Sequence, residues 1–321
     1  MSLTQLSATL RIMTLAHSEF SYHLYPTGWR DYQLIDSGNG QKLEQFGPYR
    51  FVRPETQALW SPRLQKSEWQ RADGHFITSG QDNEKGGSWR LSGSLPKNWQ
   101  MQFEDIRFFA MPTSFRHLGF FPEQAVHWQW CASKIQDFIK IKNRAPRILN
   151  LFAYSGVASL HAANAGAEVT HIDASKKAVQ LAFDNRSLSN LDNTPIRFIT
   201  EDALQFVQRE LRRGKSYDGI LLDPPKYGRG PKGEIWRLHE NLPLLLSECK
   251  QLMSQSPLFL VATIYAVRMS IISVHTSVAD IFSDMGGELT SGEIALMENT
   301  SISDKPPRAI GQALYARWCG I

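Results

Sequence analysis

Hydrophobic and polar positions fall into two textures along the chain. Residues 18–112 carry short alternating runs broken by turn chemistry, as in DYQLIDSGNGQKLEQF, GPYRFVRPE and HFITSGQDNEKGGSWRLSG. Period-two runs split by SGNG and NEKGG predict a small antiparallel sheet or barrel. No helical period is evident there. From about residue 122 the pattern changes. EQAVHWQWCASKIQDFIKIKN places Val126, Trp130, Ile135, Phe138 and Ile141 near a 3.6-residue repeat, predicting an amphipathic helix.

Buried-strand runs then alternate with helical ones. RILNLFA (147–153) reads as a strand, and GVASLHAANAG as a helix closed by Gly166. AEVTHIDA is a strand, and SKKAVQLAFDNRSLSNL a helix with Ser175 as N-cap. IRFIT, ALQFVQRELRRG and YDGILLD give strand, helix and strand. A loop, DPPKYGRGPKGE, leads to a helix from IWRLHENLPLLLSECKQLM, a strand PLFLVAT and a helix near 268–285. GELTSGEIAL and GQALYARW finish the chain as two strands joined by a Pro-containing loop. Repeated strand–helix units impose a mostly parallel, seven-stranded α/β sheet with helices on both faces. We therefore expect a small β-rich N-terminal domain over 1–112 and an α/β domain over 113–321. Such sheets bind ligands at the C-terminal strand ends where strand order reverses, here near 153, 173, 200, 223 and 263.

Composition narrows the class but not the activity. The 321 residues are 42% hydrophobic and 21% charged, ordinary for a globular chain, and the net charge of +4 is too weak to name a partner. The three cysteines are far apart with no CxxC pair, which disfavours a disulfide scaffold or a zinc site and predicts free thiols. The N-terminus lacks a signal-peptide pattern, and PLFLVATIYAV at 257–267 is too short to cross a bilayer. These features predict a soluble cytoplasmic protein with no membrane association and no metal.

Chemistry concentrates at the strand ends. Asn150-Leu-Phe-Ala-Tyr-Ser-Gly156 runs straight into a helix without the GxGxxG that a pyrophosphate requires. Seventeen residues after Gly156, Asp173 ends the second strand, a place from which an acid can accept both hydroxyls of a ribose. Either feature alone is more simply a turn or a cap; together they predict an adenosine site. Glu201-Asp202-Ala203 follows the third strand, where an acid can accept an adenine amine or cap the helix, or do both. Asp223-Pro224-Pro225-Lys226-Tyr227 ends the fourth strand. Two prolines fix φ and remove N–H donors, leaving carbonyls and a carboxylate suited to orienting an amine. Tyr227 can stack on a base, and the loop carrying Arg229 can touch phosphate. A plain turn with a solvated basic loop is the blander reading.

Taken together, NLFAYSG, HIDAS, the acids at 201–202 and DPPKYG resemble the class I S-adenosylmethionine-dependent methyltransferases, and within them the branch that methylates cytosine C5 or guanine nitrogen in large-subunit ribosomal RNA. The resemblance spans about 115–321 and implies a Rossmann-like sheet and S-adenosyl-L-methionine as cofactor. It implies that Phe152, Ala153, Tyr154 and Gly156 border the methionine moiety, and that Phe120 binds the cofactor from the segment that covers it. Asp173, Ala174 and Ser175 would hold the ribose, and Asp202 and Ala203 the adenine. Asp223, Pro224, Pro225 and Tyr227 would face the transferred methyl, with Lys226, Tyr227 and Arg229 toward substrate. Gly119–Gln124 resembles the family's segment covering the cofactor, but has Leu118, Glu123 and Ala125 where the family favours Thr, Asp and Arg.

A larger departure bears on the reaction. C5 methylation needs a cysteine at the end of the fifth strand, where this chain has Thr263-Ile264-Tyr265. Cys131, Cys249 and Cys319 lie elsewhere, so the resemblance points to methylation of a nucleobase nitrogen. RNA is the expected partner, gripped by Arg30, Arg50, Arg53, Arg63, Lys66 and Arg71, although core aromatics such as Trp60 and Trp69 interleave with them. Alternatives are a methyltransferase of a protein side chain or small molecule, and a catalytically silent binding module. Oligomeric state is not legible.

Overall fold

The turn chemistry of the N-terminal half produces the predicted hairpins. In the computed structural model, which describes residues 20–78, 86–265, 269–299 and 305–320, strand β1 (Phe20–Leu24) is followed by β2 (Tyr32–Gly38) and β3 (Gln41–Phe46). Asn39 and Gly40 alone join β2 to β3, at φ 52° and 73°, the left-handed pair that a tight two-residue hairpin requires. Then come β4 (Tyr49–Pro54), a short helix α1 (Lys66–Gln70), β5 (Gly74–Thr78), β6 (Gly87–Leu91), β7 (Trp99–Phe103) and β8 (Ile106–Ala110). β2 to β6 form one sheet in chain order and β7–β8 a separate ribbon. Two details differ from the sequence reading: α1 is a helix, and β4–β5 pair in parallel. The stretch before residue 20, part of the NEKGG turn, the end of the 257–267 apolar run and the middle of the last loop lie outside the described residues.

Helix α2 (Ala125–Lys142) opens the α/β part, followed by β9 (Arg147–Leu151), α3 (Val157–Asn164), β10 (Glu168–Asp173), α4 (Lys176–Leu188), β11 (Ile196–Thr200), α5 (Ala203–Arg212) and β12 (Gly219–Leu222). β13 (Tyr227–Arg229), β14 (Ile235–Arg237), α6 (Leu238–Gln251), β15 (Phe259–Tyr265), α7 (Ile271–Phe282), β16 (Glu288–Met297) and β17 (Ala309–Cys319) complete it. The stretch read as a loop after Asp223 thus holds a β13–β14 hairpin, and α6 starts three residues later than Ile235. α2 exists as expected, but its phase is different. His127, Trp128, Cys131, Ile135 and Phe138 face inward, while Ile141 is 61% exposed.

The main sheet runs β1-β16-β17-β15-β12-β9-β10-β11, so the seven expected strands carry an eighth, β1, parallel to β16 at the far edge. All neighbours are parallel except β17, which runs antiparallel between β15 and β16. From β9 the chain steps outward through β10 to β11, then returns to place β12 on the other side of β9. The reversal therefore lies between β9 and β12, where Leu151 and Leu222 are directly paired.

Apolar packing crosses residue 112 without a break. Phe46, Phe51, Met101 and Phe108 of the N-terminal strands share one buried cluster with Trp128, Phe138 and Ile148. Polar contacts reinforce it. Arg308, just before β17, donates to Glu298, Asp36 and the carbonyls of Ser37 and Ser61.

Candidate active site

Between the ends of β9 and β12 the backbone is held in an uncommon shape. Phe152 and Tyr154 sit at φ 56° and 45°, in the left-handed region that bulky residues seldom occupy. Gly156 follows at φ +81° as the N-cap of α3. A Cβ there would come within 2.6 Å of the Ala182 Cβ, so what its missing side chain permits is close approach of α3 to α4. The turn is fastened to the next strand. Tyr154 N–H donates to one Asp173 oxygen at 2.9 Å and Ser175 N–H to the other at 2.8 Å. Burial raises the Asp173 pKa against these two donors. Each carboxylate oxygen keeps a lone pair free, so two hydroxyls can still be accepted.

Beneath this turn lies a cavity of about 70 Å³. The predicted residues Phe120, Phe152, Ala153, Tyr154 and Asp223 all line it. So do Gln124, Asn150 and Thr263, each part of a motif named from the sequence, and His127, which sequence reasoning did not name. The shifted phase of α2 is the reason His127 was missed: the inward face of the helix carries this polar residue, which an apolar repeat cannot reveal. Cys131 also lines the cavity, contrary to the expectation that all three thiols are remote, but burial pushes its pKa up to about 12, which leaves no thiolate for attack. Asp173, Ala174, Ser175, Asp202 and Ala203 lie outside this cavity, at the tops of β10 and β11.

Asp223 is the most perturbed acid at the edge. Burial, aided by neighbouring Glu123, pushes its pKa up to about 8, while the Gln124 amide donates to it at 3.0 Å. Beyond it Pro224 is buried and Pro225 exposed. The Pro225 carbonyl, expected to help orient a substrate amine, accepts the Trp236 indole N–H at 2.7 Å. Asp223, by contrast, accepts one hydrogen bond, from Gln124, among the described residues. Trp236, also missed, packs on Phe152 with ring centroids 4.9 Å apart and so clamps the β13–β14 hairpin to the strained turn. The opposite face of the hairpin is solvent-facing: Tyr227 is 50% exposed, and Arg229 donates to its hydroxyl at 3.2 Å. Lys226 is exposed beside them.

At β11, Glu201 is bound by Arg209, whereas Asp202 caps α5 by accepting from Gln205 N–H at 3.0 Å. One Asp202 oxygen thus serves the helix, and burial raises its pKa. Ser175 caps α4 through Ala178 N–H at 3.3 Å. Of the basic residues expected to grip RNA, Arg53 is not available. It is buried and bonded to Glu44 through both its Nε and its terminal nitrogen. Arg63 bonds the Pro306 carbonyl, and Arg50 and Arg71 share Glu68. Trp69 and Trp60 are likewise used internally, donating to Asp36 and Ser37.

A reversal between β9 and β12, an acid after β10 and a carboxylate at the β12 edge are the layout of an enzyme that binds an adenosine-containing cofactor without a pyrophosphate. Comparison with known proteins agrees. The solved S-adenosylmethionine-dependent methyltransferase from Agrobacterium tumefaciens is 45% identical, covers 95% of each chain and superposes with a TM-score of 0.88. A family model described as conserved hypothetical protein 95 matches residues 130–247. Ribosomal RNA large subunit methyltransferase I of Tolumonas auensis is 40% identical over 82 residues, 25% of this chain and 21% of that protein. Ribosomal RNA large subunit methyltransferase K/L of Pseudoalteromonas translucida is 35% identical over 124 residues, 38% of this chain and 17% of that protein. The chain thus spans about a fifth of the length of those two curated relatives. The chain belongs to the S-adenosylmethionine-dependent methyltransferases.

Proposed function

We propose that this chain transfers a methyl group from S-adenosyl-L-methionine to a nucleobase nitrogen of ribosomal RNA in the cytoplasm. The observation that carries the reading is Asp223, perturbed and partly buried at the cavity rim, backed by prolines and flanked by the exposed Tyr227, Lys226 and Arg229. The names of the two ribosomal RNA methyltransferase relatives support the substrate class.

The residues present fit the cofactor. Asp173 has free lone pairs for the ribose, Asp202 offers a carboxylate for the adenine amine, and the 152–156 turn borders a cavity with room for one end of a ligand. When bound, the cofactor supplies an electrophilic methyl on a sulfonium. The protein's task is then positioning. Asp223 and the Pro224 carbonyl accept the amine N–H groups and turn the nitrogen lone pair toward the methyl. With its pKa raised to about 8, Asp223 is only partly ionised at neutral pH, and it is the ionised fraction that takes up the proton released as the N–C bond forms. Tyr227 stacks on the base and Lys226 and Arg229 meet phosphate. Residues 1–112 serve as a substrate-recognition part, with Arg30 and Lys66, both exposed, as its remaining basic contacts. A nitrogen target is favoured over cytosine C5 because β15 ends in Thr263-Ile264-Tyr265 and the Cys131 thiol stays protonated.

The test is methyl incorporation from labelled S-adenosylmethionine into ribosomal RNA, free nucleotides and cell protein, with mass spectrometry of the RNA from cells lacking the chain. Label in an N-methylated base supports the reading. Label in protein or small molecules alone overturns it.

A further inference from the structure

Three cationic side chains are buried among the described residues: Lys42, Arg53 and Arg317. Lys42 and Arg53 have carboxylates at hand, Glu55 and Glu44. Arg317 makes no ion pair among the described residues. It sits on β17 directly opposite Val261, a cavity-lining residue of β15, and burial without a counter-ion pulls its pKa down to about 10. Its guanidinium lies over the Trp130 and Tyr315 rings, its terminal nitrogen donates to the Val126 carbonyl, and its Nε donates to His127 Nδ1 at 2.9 Å.

That last bond settles the imidazole tautomer. A nitrogen that accepts from Arg317 carries no proton, so the proton of the neutral ring is on Nε2. Burial and the adjacent guanidinium keep the ring neutral, holding its pKa well below the usual histidine value. His127 lines the cavity, is 2% exposed, and its Nε2 has no hydrogen-bond partner among the described residues. A buried donor left unmade is costly, and one polarised by a buried guanidinium is a stronger donor than an ordinary imidazole. The pair is therefore suited to an anionic acceptor that reaches Nε2 from the cavity side. The space beneath the turn is roomy enough for a carboxylate. Its roof is the 152–155 turn, whose Tyr154 N–H is held by Asp173. Whatever lies against Asp173 thus projects one end toward this space.

We propose that His127 and Arg317 form a carboxylate-recognition site, and that its ligand is the α-carboxylate of the cofactor's methionine moiety. His127 Nε2–H donates to the carboxylate, and Arg317 acts through the imidazole, fixing its tautomer and supplying the positive charge. The inference rests on the cofactor placement proposed above, with the sugar at Asp173. It adds the end of the ligand that neither the strand-end acids nor the Asp-Pro-Pro edge explains.

Calorimetry with two ligands separates the possibilities. S-adenosylhomocysteine carries the carboxylate; 5′-methylthioadenosine shares the nucleoside and thioether without it. His127→Phe and Arg317→Met are expected to weaken S-adenosylhomocysteine binding roughly ten- to hundredfold, the worth of a charge-assisted hydrogen bond. Methylthioadenosine affinity stays unchanged, which also shows that the variants fold. His127→Gln, which restores an N–H donor, recovers part of the loss. Unchanged S-adenosylhomocysteine affinity in His127→Phe, or equal weakening of both ligands, overturns the dyad while leaving the cofactor placement intact. Wild-type protein that binds neither ligand overturns the placement, and the dyad with it.

Discussion

Two clusters of buried polar groups make an instructive pair. Around Arg308, where the N-terminal strands meet β17, Asp36 and Glu298 share one guanidinium, and Trp69 and the Arg63 and Leu64 N–H groups complete Asp36. Around the β9–β12 cleft, groups of similar burial lack such closure. Asp223 faces another acid, Glu123, and has one amide for company. Among the described residues, His127 has an unused donor and Arg317 no counter-ion. A closed network contributes rigidity, whereas an open one is held in readiness for atoms the chain does not own.

Substitutions should therefore separate the clusters by what they damage. The largest effect is expected for Asp223→Ala, which lowers the methyl-transfer rate about 100- to 1000-fold, the scale for removing one preorganised electrostatic contact, with cofactor affinity retained. Single-turnover transfer beside calorimetry checks it, and a rate within a few-fold of wild type would break the contrast. Arg308→Ala does the opposite. It strands Asp36 and Glu298 and destabilises the fold by about 3–5 kcal/mol in denaturant unfolding, with cofactor affinity little changed. Asp173→Ala weakens S-adenosylmethionine binding by about 1.5–3 kcal/mol, read by titration, without a comparable loss of stability. Gly156→Ala costs about 1–3 kcal/mol of stability, because the new Cβ meets Ala182 and φ is left-handed.

A pH series sharpens the same comparison. In the folded protein Asp223 stays protonated up to about pH 8, while in the unfolded chain it ionises near its ordinary value of 3.8. The unfolded chain then binds fewer protons between those limits, so this group's contribution to stability falls as pH rises from about 4 to 8. Asp223→Asn should flatten that decline in urea midpoints measured without cofactor. An unchanged slope would show that Asp223 is ordinary.

Much of the fold was legible because its signals are local. Parallel strands buried on both faces read as short apolar runs, and the acids that end them stand beside turn residues and caps. Ser175 and Asp202 were readable as caps for that reason. The β13–β14 hairpin was not, since strands of three residues are too short to show a period. The inward face of α2 was misread because it packs on a partly polar cavity, so the most apolar stripe is not the most buried one. Arg53 passed for a surface cation because nothing nearby in sequence shows that it pairs with Glu44 across two strands.

By itself the chain's order of residues determined the alternation of strands and helices, the acids at 173, 202 and 223, and the proline-stiffened edge. All of these are set by neighbours within a few turns of chain. Tertiary structure alone decided that β17 inserts antiparallel between β15 and β16, bringing Arg317 to His127 from 190 residues away. It also decided that β1 extends the sheet and that Trp236 closes on Phe152. Periodicity records where an element's apolar residues lie, which in α2 is not the whole of its buried face. Which partner awaits it there is settled only when distant segments compete for the same space.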